Sequence, residues 1–253
     1  MVSYQSFPAR LASMGEMLGN IAHQWRQPLN GLSLIVQNIE DAYDFNELNK
    51  ESIHQTVKKS MELILFMSNT IDDFRNFFRE DREMVVFNVL GLVRDSLHLV
   101  HMQIMKHKIT LVLQYGDNRC QVESSESFQE INIQEGKCNV MGYPNEFKQA
   151  ILNFLINSRD AILTSGVVKG EIIVGLEKVH DSCSIIIEDN GGGIDPGIIE
   201  KIFDPYFSSK DEGQGTGIGL YMSKIIIEEH MNGKITVENT DRGAKFTITL
   251  KLA

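Results

Sequence analysis

The sequence is poor in cysteine, has no long apolar run and has no excess of basic residues. Its 253 residues include three cysteines, Cys120, Cys138 and Cys183, an odd number without the spacing of a zinc site. This argues against a disulfide framework and favours a reducing compartment. No apolar run approaches the roughly 18 residues of a membrane span. We therefore expect a soluble, cytoplasmic fragment, whether the full-length protein is soluble or membrane-anchored.

The charge balance is acidic. Lysine and arginine number 24 against 34 aspartate and glutamate residues, which gives a formal net charge of −10. Nucleic-acid binders need basic density to displace counterions, so we expect no nucleic-acid partner. An acidic chain can still bind a polyanion such as ATP, because magnesium and backbone N–H groups supply the positive potential.

The first third of the chain has the period of long helices. Apolar residues recur every seven positions in three neighbouring rows, and the pattern fades through residues 44–49 before it resumes. The rows contain Leu11, Leu18, Trp25, Leu32 and Ile39; Met14, Ile21, Pro28, Ile35 and Ala42; Ala22, Leu29, Val36 and Tyr43; and, in the second helix, Val57, Ile64, Met67, Ile71, Phe74 and Phe78. Such a wide stripe is typical of a four-helix bundle.

Two helices cannot enclose a core of that width, so we predict an antiparallel hairpin that forms the bundle as a homodimer. A hairpin packed against the rest of the chain remains the alternative.

After Glu83 the pattern changes to short β-branched runs separated by helical segments. This order predicts an α/β sandwich in which helices cover a mixed sheet, and the whole chain is α+β. The predicted strands are Ile109–Leu113, Glu171–Val179, Ser184–Glu188, Lys234–Glu238 and Ala244–Leu250, and the predicted helices are Val89–Met105, Asn145–Leu163 and Ile218–His230.

We therefore expect three parts. Residues 1–8 form a linker or junction remnant, residues 9–82 form a helical dimerisation domain, and residues 83–253 form the second domain.

His23 falls on the outward side of the first helix, five residues before Pro28. A lone helical histidine is usually a solvated surface residue. A proline inside a helix costs about 3 kcal/mol or more, however, and its retention here suggests that the helix bends for a reason. A neutral imidazole carries a free lone pair near pH 7 and can act as a nucleophile.

The second domain carries polar residues that suit a nucleotide. Asn153 and Asn157 are spaced i, i+4 and share a face of an otherwise apolar helix, and an amide oxygen suits magnesium. Asp189 ends a strand and precedes a glycine turn. A second glycine-rich segment, residues 213–219, runs into a helix, where exposed N–H groups favour phosphate.

Taken in order, these segments resemble a sensor histidine kinase core. Residues 23–29 are similar to its H-box, and residues 153–161, 187–194, 203–207 and 213–220 resemble motifs of the ATPase superfamily shared by histidine kinases, type II topoisomerases, heat-shock-90 chaperones and mismatch-repair ATPases. The resemblance implies that His23 accepts the phosphoryl group. Gln24 stands where the family has a carboxylate and can orient the ring but cannot take a proton. Gln27 is a candidate for orienting water in dephosphorylation.

In the second domain the resemblance implies ATP and magnesium as ligands. Asn157 matches the magnesium ligand, Asp189 accepts the exocyclic amine of adenine, and Lys210 either reaches a phosphate or is solvated. The implied nucleotide-binding residues are Asn153, Asn157, Asp160, Asp189, Gly191, Gly193, Ile194, Lys210, Gly215, Thr216, Gly217, Ile218, Gly219, Leu220 and Thr247.

The resemblance predicts a histidine kinase that passes the group to an aspartate of a response-regulator receiver. Hydrolytic relatives carry glutamate where this chain has Asn153, which argues against ATP hydrolysis. Glu146 could be a substitute base, but it follows Pro144 at the start of the helix, where a solvated capping role is expected. A conformational ATPase, and a phosphatase-dominant or non-catalytic receiver-binding module, remain alternatives. The upstream sensor domain that the family implies is not recognised here.

Overall fold

The computed structural model describes residues 25–26, 28–78, 83–116, 118–122, 138–210 and 217–253. His23, Gln24, Gln27, Gly215 and Thr216 therefore lie outside the described residues. The chain forms two compact units. One contains the helices before residue 80, and Ser208–Thr216 are grouped with it; the other contains Glu80–Phe207 and Gly217–Ala253.

Two consecutive helices make up the first unit, α1 at residues 28–44 and α2 at Lys50–Phe78. The chain turns at Asn46, whose φ of 55° is left-handed and suits asparagine. Asn49 then caps α2: its Oδ1 accepts from the Ser52 N–H at 2.9 Å, and its own N–H donates to Ser52 Oγ at 3.0 Å. This reciprocal cap explains why the helical period is interrupted at residues 45–49.

The two helices run antiparallel. A Cβ added at Gly31, near the start of α1, would lie 3.2 Å from Leu63 Cδ1 in the middle of α2, and the two residues are equally far along the chain from the turn that joins the helices. The predicted helical hairpin is therefore confirmed.

The second unit is built on a six-stranded sheet. Eight strands are described in this unit, six in the large sheet and two in a small one: β1 Val85–Asn88, β2 Thr110–Tyr115, β3 Asn118–Gln121, β4 Asn139–Gly142, β5 Glu171–Val179, β6 Ser182–Asp189, β7 Lys234–Asn239 and β8 Ala244–Lys251. The large sheet has the order β3-β2-β5-β6-β8-β7, and β1 pairs with β4 in a small antiparallel sheet. Among the described strands, β2 and β5 pair in parallel and the other pairs are antiparallel. The predicted mixed sheet is confirmed.

Helices α3 (Val89–Lys106) and α4 (Pro144–Ser165) pack on each other and on the sheet. Pro144 stands in the first turn of α4, and Gly166, with φ of 68°, ends it in a left-handed cap. The core lies between these helices and one face of the sheet. Its largest members include Phe147 and Phe154, both fully buried, and the Phe154 ring lies 5.1 Å from that of Phe246 in β8.

The predicted helix Ile218–His230 is divided in the structure. An α-helix, α5, spans Gly219–Lys224, and a π-helical turn follows at Ile225–His230. At the end of that turn His230 Nδ1 lies 2.6 Å from Glu146 Oε2 in α4. The Glu146 side chain is only 15% exposed, so the expectation of a solvated residue was wrong: it links α4 to the π turn.

The sequence analysis missed the short strands β1, β3 and β4. Each has four residues, too few for a two-residue period to stand out, and β3 is a polar edge strand. Among the described residues, no helix is long and apolar enough to cross a membrane.

Candidate nucleotide-binding site

A buried carboxyl ends the central strand β6. The strand alternates between half-buried and buried residues, and this period places Asp189 on the buried face with 3% of its surface exposed. Its Oδ1 accepts hydrogen bonds from the N–H groups of Gly191 at 2.9 Å and Ala244 at 3.5 Å. Burial raises the pKa of the Asp189 carboxyl, and these backbone donors offset part of that effect. Within the described ranges no cationic side chain pairs with this buried acceptor, which therefore suits a neutral hydrogen-bond donor such as an amine.

The turn after Asp189 is held by close backbone contacts. A Cβ at Gly191 would lie 2.8 Å from the carbonyl carbon of Ala161, so the turn rests directly on α4. Gly193 has φ of 82°, and a Cβ there would lie 2.8 Å from Asn239 Oδ1. Asn239 also accepts from the Ile194 N–H at 2.8 Å and donates to the Ile194 carbonyl at 2.7 Å. The glycines are therefore required by space, and the turn has one fixed path.

The loop between β7 and β8 closes on Asp189 from the other side. A Cβ added at Gly243 would lie 2.3 Å from the Asp189 carbonyl oxygen and 2.8 Å from its Oδ1. Only glycine allows this approach.

Asn153 joins α4 to the start of α5. Its Nδ2 donates to the Gly219 carbonyl at 3.0 Å and lies 3.3 Å from Ser223 Oγ, while its Oδ1 accepts from Gln149 at 3.3 Å. The amide is thus engaged by protein groups on both its donor and its acceptor side. It positions the first residue of α5 and cannot act as a base.

Asn157 lies one turn further along α4 and is half-buried. Unlike Asn153, it has no side-chain hydrogen bond in the described part of the chain, so its amide oxygen suits a hard cation. Across the described ranges no group of three or more His, Cys, Asp or Glu side chains could hold a metal. One neutral oxygen fits magnesium that takes its remaining ligands from phosphate and water. Asp160 is instead paired with Arg159, at 2.9 Å from Nε and 2.6 Å from Nη2.

The segment before Ser208 is anchored to Gly217, which lies within the second glycine-rich segment. Tyr206, with φ of 66°, donates its N–H to the Gly217 carbonyl at 3.0 Å. Gly217 itself has φ of 64°, and a Cβ there would lie 2.4 Å from the Tyr206 carbonyl carbon. The Phe203 ring packs edge-on against Phe246 in the core, 6.4 Å between centroids. Tyr206 and Gly217 are therefore held together, although ten residues separate them in the sequence.

The structure brings together part of the predicted set. Asp189 and the turn residues Gly191, Gly193 and Ile194 form one continuous surface, called the floor of the site below. Asn153 contacts Gly219. Ile218 is buried, and Leu220 packs against the core. The backbone N–H of Lys210 donates to Ser208 Oγ at 3.2 Å.

Thr247 does not lie beside Asp189. It pairs with Ile186, on the opposite face of the sheet from Asp189, because side chains alternate along a strand. Ala244 occupies the position next to the carboxyl.

Sequence reasoning missed three contributors. Asn239, whose side chain hydrogen-bonds the backbone of Ile194, was not singled out. Ala244 was overlooked in favour of Thr247. Ser158, which is 1% exposed on the buried face of α4, was not singled out either. The period of two along β8 is a signal that identifies Ala244. An isolated serine within the apolar face of α4 is the signal for Ser158.

Comparison with known proteins identifies the second unit. Residues 142–253 match the family described as histidine kinase-, DNA gyrase B-, and HSP90-like ATPase. Over 97% of its length the chain is 29% identical to the two-component sensor PprA of Pseudomonas aeruginosa, and it covers 25% of that protein. It is 28% identical over 96% of its length to the signal transduction histidine-protein kinase AtoS of Escherichia coli K12, of which it covers 36%. The chain thus spans well under half of these relatives.

Solved structures agree. The nucleotide-free catalytic domain of histidine kinase ThkA matches with a TM-score of 0.54 and 27% identity, over 67% of this chain and 95% of that one. The same kinase in complex with response regulator protein TrrA shares the fold over 98% of this chain, with a TM-score of 0.66 and 22% identity, and is covered to 65%. The resemblance to the ATP-binding domain of histidine kinases is confirmed. His23, Gln24 and Gln27 of the H-box lie outside the described residues.

Proposed function

We propose that this chain, whose residues 142–253 carry a domain of the histidine kinase-, DNA gyrase B- and HSP90-like ATPase family, is the core of a sensor histidine kinase. It transfers the γ-phosphoryl group of ATP to His23. One observation supports the proposal most strongly. The buried Asp189 carboxyl ends a strand, with Gly191 and Gly243 packed closely around it, beside the helix α4 that carries two asparagine amides.

The base of ATP occupies the floor around Asp189. The carboxylate accepts the exocyclic amine, and the exposed edge of the glycine turn lets the flat ring approach the backbone. Adenine is favoured over guanine because guanine presents a carbonyl oxygen, which a carboxylate repels, at the position of the amine.

Asn157 would hold magnesium together with the phosphates. Bound there, the ion would neutralise charge on the phosphate oxygens. Asn153 Nδ2 donates to the Gly219 carbonyl, 3.0 Å away, and so fixes the start of α5. The backbone N–H groups at the start of α5 are thereby held in position to bind the phosphates.

The phosphotransfer step needs an imidazole nitrogen in line with the γ-phosphorus. A lone pair of His23 forms the N–P bond while the bond between the γ-phosphorus and the β,γ-bridging oxygen breaks, and ADP leaves. Gln24 orients the ring by a hydrogen bond and takes no proton. The phosphoryl group then passes to an aspartate of a response-regulator receiver, and Gln27 orients water for its removal from that partner.

The helical unit acts as a homodimer. Apolar side chains of the predicted bundle rows, among them Ile39, Val57 and Ile64, are between 42% and 55% exposed in the single chain. Rows of this kind are buried when two hairpins form four helices.

The decisive experiment is incubation with ATP labelled on the γ-phosphate. Wild type is expected to gain acid-labile, alkali-stable phosphate, His23→Ala none, and His54→Ala, a control at an exposed histidine of α2, as much as wild type. Label retained by His23→Ala would reject the proposal.

Two alternatives predict other outcomes. A conformational ATPase would release free phosphate without labelling the protein; the engagement of Asn153 by Gly219 and Gln149, where hydrolytic relatives need a base, argues against it. A phosphatase-dominant or non-catalytic receiver-binding module would bind ATP and leave His23 unlabelled.

A further inference from the structure

One acidic side chain at the start of β5 binds two arginines. The Glu171 carboxylate accepts from Arg242 Nη2 through Oε2 and from Arg119 Nη2 at 3.2 Å through Oε1. Its side chain is 22% exposed, whereas those of the two arginines are about half exposed. A carboxylate that is mostly buried needs charged or hydrogen-bonding partners, and the two guanidinium groups supply them.

The backbone of the same residue is bonded to the turn that follows Asp189. The Glu171 N–H donates to Asn190 Oδ1 at 2.8 Å, and the Glu171 carbonyl accepts from the Asn190 N–H at 3.3 Å. Asn190 stands directly between Asp189 and Gly191, two residues of the floor. Glu171 is therefore fixed to the floor by its backbone, and its side chain can fix other segments relative to the floor.

The two arginines reach Glu171 from opposite sides. In the order of the sheet, β6 lies between β5 and β8, and β2 lies between β3 and β5. Arg242, in the turn between β7 and β8, thus reaches past the end of β6, where Asp189 stands. Arg119, in the edge strand β3, reaches past β2 instead. Of these two ion pairs, the one with Arg242 spans the Asp189 position.

The residues that follow Arg242 make the closest contacts to Asp189. A Cβ at Gly243 would lie 2.3 Å from the Asp189 carbonyl oxygen. The Ala244 N–H group lies 3.5 Å from Asp189 Oδ1, at the long end of the range for a hydrogen bond. A small outward shift of the β7–β8 turn would break that bond. The Arg242–Glu171 pair opposes such a shift, because it ties the turn to a residue that is itself bonded to Asn190.

We propose that Glu171 and Arg242 are positioning residues for ATP binding, whose ion pair holds the β7–β8 turn against Asp189 before the nucleotide arrives. This inference rests on the proposed function. Neither side chain contacts the nucleotide. Without the pair, the turn leaves Asp189 in a fraction of the molecules, and the apparent affinity falls in proportion to the fraction that stays closed. Arg119 shares the carboxylate but not this role.

The test compares the two arginines. Arg242→Gln and Arg119→Gln each remove one positive charge from the same carboxylate, and ATP affinity of the full chain is measured by calorimetry at low ionic strength. Arg242→Gln and Glu171→Gln should each weaken ATP binding about threefold to fivefold, the usual range for a partly exposed ion pair. Arg119→Gln should change it by less than about 1.5-fold. Arg242→Lys keeps the charge and should recover part of the loss.

Salt distinguishes an ion pair from a packing defect. Salt weakens ATP binding to every variant because ATP is a polyanion, so the ratio between Arg242→Gln and wild type is compared. That ratio should approach one as NaCl rises from about 0.02 M to 0.5 M, since screening removes the pair from wild type as well. The double variant Glu171→Gln/Arg242→Gln should bind ATP no more weakly than either single variant.

Four outcomes would overturn the inference. They are an unchanged ATP affinity in Arg242→Gln, an equal loss in Arg119→Gln, a ratio that does not vary with salt, and tighter ATP binding by Glu171→Gln, which would mean that Arg242 contacts the nucleotide itself. Thermal unfolding without nucleotide should find the two arginine variants equally stable, and a loss confined to Arg242→Gln would assign the effect to folding. A wild-type protein that does not bind ATP rejects the proposed function itself.

Discussion

The two units of the molecule treat apolar side chains differently. The second unit encloses its largest ones, and Phe154, Leu155 and Ile185 have no exposed surface. The helical unit leaves large apolar side chains exposed along both helices. They are Leu29, Leu34, Val36, Ile39, Tyr43, Phe45, Ile53, Val57, Met61, Ile64 and Leu65, each between 42% and 74% exposed.

This difference separates a unit that is complete in one chain from one that is not. A sheet covered by helices closes its own core, whereas two helices can bury only the narrow seam between them. If the proposed homodimer forms, the stability of the second unit should depend on its own packing and that of the helical unit on a second copy. The predictions below test each half of that statement.

Phe154→Ala should have the largest effect. The side chain is fully buried and packs on Phe246, and truncation of a buried phenylalanine costs about 3–5 kcal/mol. Denaturant unfolding of the chain should show this loss. Leu99→Ala, at a side chain 56% exposed in the same unit, should change stability by less than about 0.5 kcal/mol. Similar losses in the two variants would show that the core is not closed as described.

Gly243→Ala should have the second-largest effect, and the property that it changes is ATP affinity. Its methyl group would collide with the Asp189 carbonyl oxygen at 2.3 Å, so the carboxyl must move and ATP affinity should fall by about 30-fold or more. Gly91→Ala is the control. Its Cβ would meet only Asn88 Oδ1 at 3.7 Å inside α3, so affinity should stay unchanged while stability rises slightly. Unchanged ATP binding in Gly243→Ala would contradict the tight closure of the floor.

The sequence predicts the helices and strands whose apolar residues recur at a regular spacing along the chain. The seven-residue rows and the break at Asn46 are visible in the order of residues, and so are the five long strands of the sheet. Asp189, Gly191, Gly193 and Ile194 come together because one turn carries them all.

The remainder depends on contacts between distant segments. Asn239 reaches Ile194 across 45 residues, and Gly243 meets Asp189 only after β8 pairs with β6. Thr247 was chosen for its hydroxyl, but strand alternation turns it away and presents Ala244. The turn from α-helix to π-helix at Ile225 has no signature in the residue types that we used.

Ile64→Glu tests the other half of the comparison. Its side chain is 46% exposed in the single chain, and a charge at that position would have to be buried in a four-helix bundle. Sedimentation equilibrium should show the dimer dissociation constant rising by about tenfold or more, with ATP affinity of the catalytic unit unchanged. Lys58→Ala, at an exposed position of α2, lowers the net charge by the same single unit and should dimerise nearly as wild type. Dimerisation unaffected by Ile64→Glu would place the interface elsewhere.

Asp189→Asn should have the smallest effect on folding stability of these variants. We expect it to raise stability slightly while it abolishes ATP binding. Burial raises the pKa of this carboxyl in the folded protein. The native state therefore holds a proton that the unfolded chain has already released above about pH 4. Stability from Asp189 is fully present below that pH and is lost as pH rises through the higher pKa of the folded state.

Asparagine does not titrate, and its oxygen can still accept from the N–H groups of Gly191 and Ala244. Without nucleotide, the variant should match wild type at acidic pH and exceed it by about 0.5–1 kcal/mol at pH 7. The variant should also fail to bind ATP. Thermal unfolding across pH 4–8 measures the difference. A variant less stable than wild type at pH 7 would mean that the ionised Asp189 carboxylate stabilises the folded protein. The carboxylate would then not reduce the stability of the nucleotide-free second unit.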